Sequence, residues 1–132
     1  MSEFDKAHLM LAFGHHVAQR VIAADRRIDP REVLLLHDLY PRRAMEAAGL
    51  VDAEGHFTDA FEEAAREGAR ALPALLSDEE KLDLLRWWRL VARADNRLDP
   101  AEDETLLRAG TLLGWDVDRI QRALAELAES QG

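Results

Sequence analysis

The sequence predicts an all-α domain of about seven helices, and three observations carry that prediction. Apolar residues recur at intervals of three and four along most of the chain, the spacing that lines one face of a helix, and no segment alternates like a strand. Helix-start signals, a Ser, Thr or Asp ahead of a compatible first turn, open one segment after another. One short acidic pattern also occurs twice, each time between two predicted helices.

Ser2 and Asp5 stand where a first helix is capped, and Met10, Phe13, Val17 and Val21 then mark one face of it. Leu11, His15, Ala18 and Ile22 form an adjoining row, so the apolar surface is broad and this helix, ending near Ala24, is expected at the centre. Gly14 leaves room for another helix to approach closely. Asp29 as cap, Pro30 at the first helical position and Glu32 reaching back open a second helix, with Ile28 and Val33 placed as a hydrophobic staple. It runs to about Tyr40, where Pro41 interrupts it; a third spans Arg42 to Ala48 and is ended by Gly49. The stretch from Leu50 to Phe57 reads as a loop.

Thr58 is placed to cap a fourth helix carrying Phe61, Ala64, Ala65, Ala69 and Leu72, with Pro73 near its end. Ser77 and Glu80 make a capping box for the fifth, whose Leu84, Leu85, Trp88, Val91 and Ala92 form the wide stripe of a core-facing helix ending near Ala94. A sixth helix runs from Pro100 to about Leu113. A seventh follows Asp116, with Trp115 and Ile120 as its staple and Leu124 and Leu127 continuing the stripe. Trp87 and Trp88 point about 100° apart on their helix and cannot share one deep core. Core or rim packing is the expected role of each, with a partner-binding patch shared with Trp115 as the alternative.

At 132 residues, 48% hydrophobic and 33% charged, the chain has the size and composition of one folded domain, residues 1–132. Its 26 acidic against 17 basic residues give a formal charge of −9, which repels phosphate backbones and anionic lipid; nucleic acid is not an expected partner. Cysteine is absent, excluding disulfides, thiolate zinc sites and Cys nucleophiles, in keeping with a cytoplasmic setting. The first 24 residues hold no apolar run long enough for a signal peptide or membrane span, so no direct membrane insertion is expected.

Shifting the chain by 70 places Val21 on Val91, Ala24 on Ala94, Asp25 on Asp95, Arg27 on Arg97, Ile28 on Leu98, Asp29 on Asp99, Pro30 on Pro100 and Glu32 on Glu102. The shared pattern is A-D-x-R-[IL]-D-P-x-E. Such a repeat predicts two pseudo-symmetric helical halves, about 1–49 and 77–130, joined by the fourth helix. The two segments, A-D-R-R-I-D-P-R-E and A-D-N-R-L-D-P-A-E, resemble the twice-occurring acidic motif of TerB-like, tellurite-resistance domains. The resemblance implies an all-helical bacterial stress-response module without assigned enzymatic activity, with protein partners and with its acidic residues as metal ligands. Arg26 and Asn96 stand where that family has glycine; Asn accepts a left-handed backbone more readily than Arg, which favours the second corner.

The candidate ligands are therefore Asp25, Asp29 and Glu32 at the first corner and Asp95, Asp99 and Glu102 at the second, converging on a hard divalent cation such as Ca²⁺, Mg²⁺ or Mn²⁺. Helix capping alone accounts for the Asp before each proline and the Glu after it. It does not account for Asp25 and Asp95, which sit at a helix C-terminus where the dipole disfavours negative charge; Arg27 and Arg97 are the competing partners. At the second corner Asp103 and Glu104 add negative charge, opposed by Arg97 alone. Neither corner is an EF-hand, since the third position is Arg, the sixth is Pro30 or Pro100 and the twelfth is Leu36 or Leu106.

His8, His15 and His16 share the first helix, but no H-E-x-x-H or E-x-x-H pair accompanies them, and His15 in its apolar row reads as a hydrogen-bonded core residue. No catalytic or cofactor-binding residues are expected. The leading expectation is a cytoplasmic stress-response module that binds partner proteins and a divalent cation at its corners. A metal-free interaction scaffold, and third a small metal-dependent hydrolase using His15 and His16, are the rivals.

Overall fold

The computed structural model describes residues 5–24, 30–93 and 100–131, with 100–102, 128, 130 and 131 described by backbone alone. Within them lie seven α-helices: α1 Lys6–Ala23, α2 Pro30–Leu39, α3 Arg42–Ala47, α4 Asp59–Leu75, α5 Asp78–Ala92, α6 Pro100–Leu112 and α7 Val117–Gln131. The only extended pairing among the described residues is a single antiparallel bridge between Val51 and Phe57.

The first helix is central, as its two apolar rows require: α2, α4, α5 and α6 all pack on it. Leu9, Ala12, Phe13, Val17, Ala18, Val21 and Ile22 are buried along it. Asp5 caps it by accepting from the His8 N–H at 2.8 Å. α1 and α4 approach closely at Gly68, where a Cβ would stand 2.9 Å from Phe13 Cβ and 3.2 Å from the Leu9 carbonyl.

At Gly14 the nearest neighbour is a side chain. A Cβ there would lie 2.4 Å from Tyr40 Oη, so the vacant space receives the Tyr40 ring just after α2 ends. The Gly14 carbonyl also accepts from Trp88 Nε1 at 3.0 Å. One glycine thus lets α1 receive a tyrosine and a tryptophan from two different segments. Trp88 is fully buried and edge-on to Phe13, Trp115 is buried, and Trp87 is half-buried against Tyr40. The three tryptophans therefore build the core and form no shared surface patch.

The remaining helices follow their sequence signals closely. Ser77 and Glu80 make both hydrogen bonds of the capping box, and Lys6 joins Glu80 at 2.7 Å, tying α1 to the start of α5. Leu84, Leu85, Trp88, Val91 and Ala92 are buried on α5. Asp116 accepts from the Arg119 N–H at 2.8 Å, and Arg119 lies 4.4 Å over the Trp115 ring while pairing with Asp78. Thr58 departs from expectation: it occupies the N-cap position of α4 but makes no cap bond, because its hydroxyl donates to the Gly49 carbonyl at 2.7 Å and closes the preceding loop.

Candidate functional site

Of the six carboxylates expected at the corners, Asp25, Asp29, Asp95 and Asp99 lie outside the described residues. Glu102 falls in the first turn of α6, with its side chain likewise outside them. Glu32 is described, and its position is informative. It sits in the first turn of α2, which packs on α1 and α5, and it is 0% exposed. Glu80, which reaches back to the Ser77 N–H in the α5 capping box, keeps a side chain 32% exposed. Capping therefore does not require enclosure. A carboxylate removed from water is stabilised only by compensating charge or donors, and Glu32 is engaged by other groups where it lies.

Two of the acids that the sequence adds beside the second corner are paired with arginines. Asp103 pairs with Arg93 at 3.2 Å and Glu104 with Arg108 at 2.7 Å, so neither adds uncompensated negative charge. The first pairing joins α6 to the residue ending α5 and the second is one turn along α6, contacts that a count of nearby acids overlooks. Arg89, one turn before Arg93, has its pKa lowered by burial and then by the Arg93 charge.

A second group of ligand-type side chains lies in the loop between α3 and α4, where the sequence offered only a connection. Asp52, Glu54 and His56 each present one ligand atom within 4.8 Å of the others. Asp52 Oδ1 accepts from the N–H groups of Glu54 and His56, both at 2.9 Å, and Asp52 N donates to the His56 carbonyl at 2.9 Å. Those backbone donors, His56 foremost, hold the Asp52 carboxyl below its usual range. Gly55 makes the turn with φ +86°, and Arg42 braces it from α3 by donating to the Ala53 carbonyl at 2.6 Å. The signal was D-x-E-G-H between two apolar residues. His56 Nδ1 stands 3.8 Å from both Asp52 Oδ2 and Glu54 Oε2; the His56 and Glu54 side chains are mainly solvent-facing and that of Asp52 is 44% exposed. The loop is organised by its own hydrogen bonds and presents three donors, leaving the rest of any ion's shell to water.

The α1 histidines are in different surroundings. His15 is 6% exposed and meets the rings of Tyr40, Phe57 and Phe61 edge-on, with centroids 5.3–5.7 Å away. It is a core residue, as expected, but packed by aromatic rings, and its Nδ1 has no hydrogen-bond partner among the described residues. Burial, reinforced by His37 and His16, lowers its pKa to about 4. His16 accepts from Arg20 Nε at 3.2 Å. Neither belongs to a metal-ligand cluster among the described residues.

The sequence of this helical chain is matched over residues 15–125 by the family model described as Tellurite resistance protein TerB. The chain belongs to the TerB family. The match spans both acidic corners, the loop cluster and the core that joins them. No curated protein and no solved structure matches the chain. Among the described residues of this TerB-family chain, no helix is long and apolar enough to cross a membrane.

Proposed function

We propose that this TerB-family chain is a cytoplasmic, non-enzymatic stress-response module that holds a divalent cation at its inter-helix corners and presents the resulting fold to partner proteins. The observation that supports the cation reading is the complete enclosure of Glu32, an acid of the repeated motif. A hard cation such as Ca²⁺, Mg²⁺ or Mn²⁺ suits the carboxylates of the repeated motif, in addition to the groups that already engage Glu32. Cation occupancy would then set how firmly α2 and α6 are seated, giving partners a cation-dependent surface to read.

Calorimetric titration of the apo protein with Ca²⁺, Mg²⁺, Mn²⁺ and Zn²⁺ tests this directly. The reading expects saturable binding of at least one ion, lost in Glu32→Gln or in Asp95→Ala combined with Asp99→Ala, and a melting temperature that rises with ion concentration. Retention in those variants with loss in Asp52→Asn combined with His56→Ala would move the site to the loop. No saturable heat for any ion would leave the metal-free scaffold, which expects Asp25→Asn and Asp95→Asn to keep partner binding intact. Among the described residues no contact supports the hydrolase reading, since His15 is enclosed by aromatic rings.

A further inference from the structure

A groove of about 540 Å³ runs between the C-terminal half of α1 and α6, away from the loop cluster. Val17 and Ala23 give one wall its apolar surface and Ala109 and Leu112 the other, with Thr105 and Thr111 beside them on α6. Leu112 is 50% exposed, a large apolar side chain left in water beside the cleft. One arginine stands on each wall, Arg20 on α1 and Arg108 on α6.

The two guanidiniums differ in how they are paired. Arg108 shares one donor with Glu104 on its own helix. Arg20 gives its side-chain hydrogen bond to His16 Nε2, and an imidazole nitrogen that accepts a hydrogen bond is neutral. Among the described residues no carboxylate pairs with Arg20. Among its described residues, a chain of net charge −9 thus sets a guanidinium with no carboxylate partner at the mouth of this cleft. Guanidinium binds carboxylate through paired, charge-assisted hydrogen bonds.

Size decides what kind of occupant fits. The walls span residues 17–24 and 105–112, two turns of each helix and about 10 Å. A docking helix of three turns, about 16 Å long, would overhang both ends. The volume falls within the range of small-molecule pockets. The overall charge repels a phosphate dianion more than a monoanion.

We propose that this groove binds a small amphiphilic carboxylate, its apolar body along Val17, Ala23, Ala109 and Leu112 and its carboxylate held by Arg20, with Arg108 on the opposite wall. The site is independent of the cation reading.

The test is a titration of the isotope-labelled full chain with decanoate, below its micelle concentration and in EDTA, followed by amide NMR shifts. Saturable shifts confined to the 17–24 and 105–112 walls are expected. Arg20→Gln should weaken binding roughly tenfold, as loss of a hydrogen bond to a charged group does. Thr111→Trp, an exposed change on the α6 wall, should block it while circular dichroism stays unchanged. Decanol and decyltrimethylammonium should each bind roughly tenfold more weakly than decanoate. Equal affinity for the three amphiphiles, shifts scattered over the surface, or an unaltered Arg20→Gln variant would overturn the proposal. So would absence of binding, which would leave the cleft to a side chain of a protein partner.

Discussion

Lowering the pH should destabilise this fold through one buried imidazole. His15 lies among Tyr40, Phe57 and Phe61, and burial lowers its pKa from 6.5 to about 4. Between those values the unfolded chain carries a proton on this ring that the folded chain does not. Stability is therefore fully present above about pH 6.5 and is lost as the pH falls toward 4. At about 1.4 kcal/mol per pH unit, the whole window is worth about 3 kcal/mol, of which about 2.5 kcal/mol is gone by pH 4.5. Urea unfolding followed by circular dichroism at pH 7.5 and pH 4.5 measures it in the natural chain and in His15→Leu. Carboxylate contributions are common to both proteins and cancel in the comparison. The variant should lose about 2.5 kcal/mol less than the natural chain over that interval. Identical pH dependence in the two, or a His15 ring that titrates near 6.5 by NMR, would refute the reasoning.

Three further outcomes follow from packing and turn chemistry. Gly14→Ala drives a methyl group against the Tyr40 ring and should cost about 1–3 kcal/mol, with only part of the loss recovered when Tyr40→Phe removes the oxygen, since Cε1 and Cζ stay at 2.9 and 3.0 Å; a double-mutant cycle by urea unfolding reads the coupling. Ser77→Ala deletes the acceptor of the α5 capping box and should cost about 1 kcal/mol, seen as a lower denaturation midpoint with an unchanged slope. Gly114→Ala forces a side chain onto a residue with φ +93° between α6 and α7 and should cost about 1–2 kcal/mol in the same assay.

The helices were legible in the sequence because their determinants are local. A cap acts on a donor three residues away, a stripe repeats every three or four, and proline or glycine ends a segment in place. Asp5, Ser77, Asp116, Pro30 and Gly49 accordingly mark boundaries found in the structure. The family was legible too, since the acidic pattern that resembles TerB-like domains lies within a match covering residues 15–125. Thr58 shows the limit of local reasoning: its hydroxyl had two acceptable uses, and closing the loop at Gly49 prevailed over capping α4.

By itself, then, the sequence determined the helical class, the order and ends of the seven helices, and the central place of α1. Only the tertiary structure decided what those helices present to one another. The ring filling the space at Gly14 comes from Tyr40, 26 positions away, and the indole on its carbonyl from Trp88, 74 positions away. Enclosure of Glu32 depends on how α2 lies on α1 and α5, and the pairing of Asp103 on a basic residue at the far side of a corner. Burial and charge compensation are properties of neighbours in space, and a pattern that repeats every few residues carries no record of them.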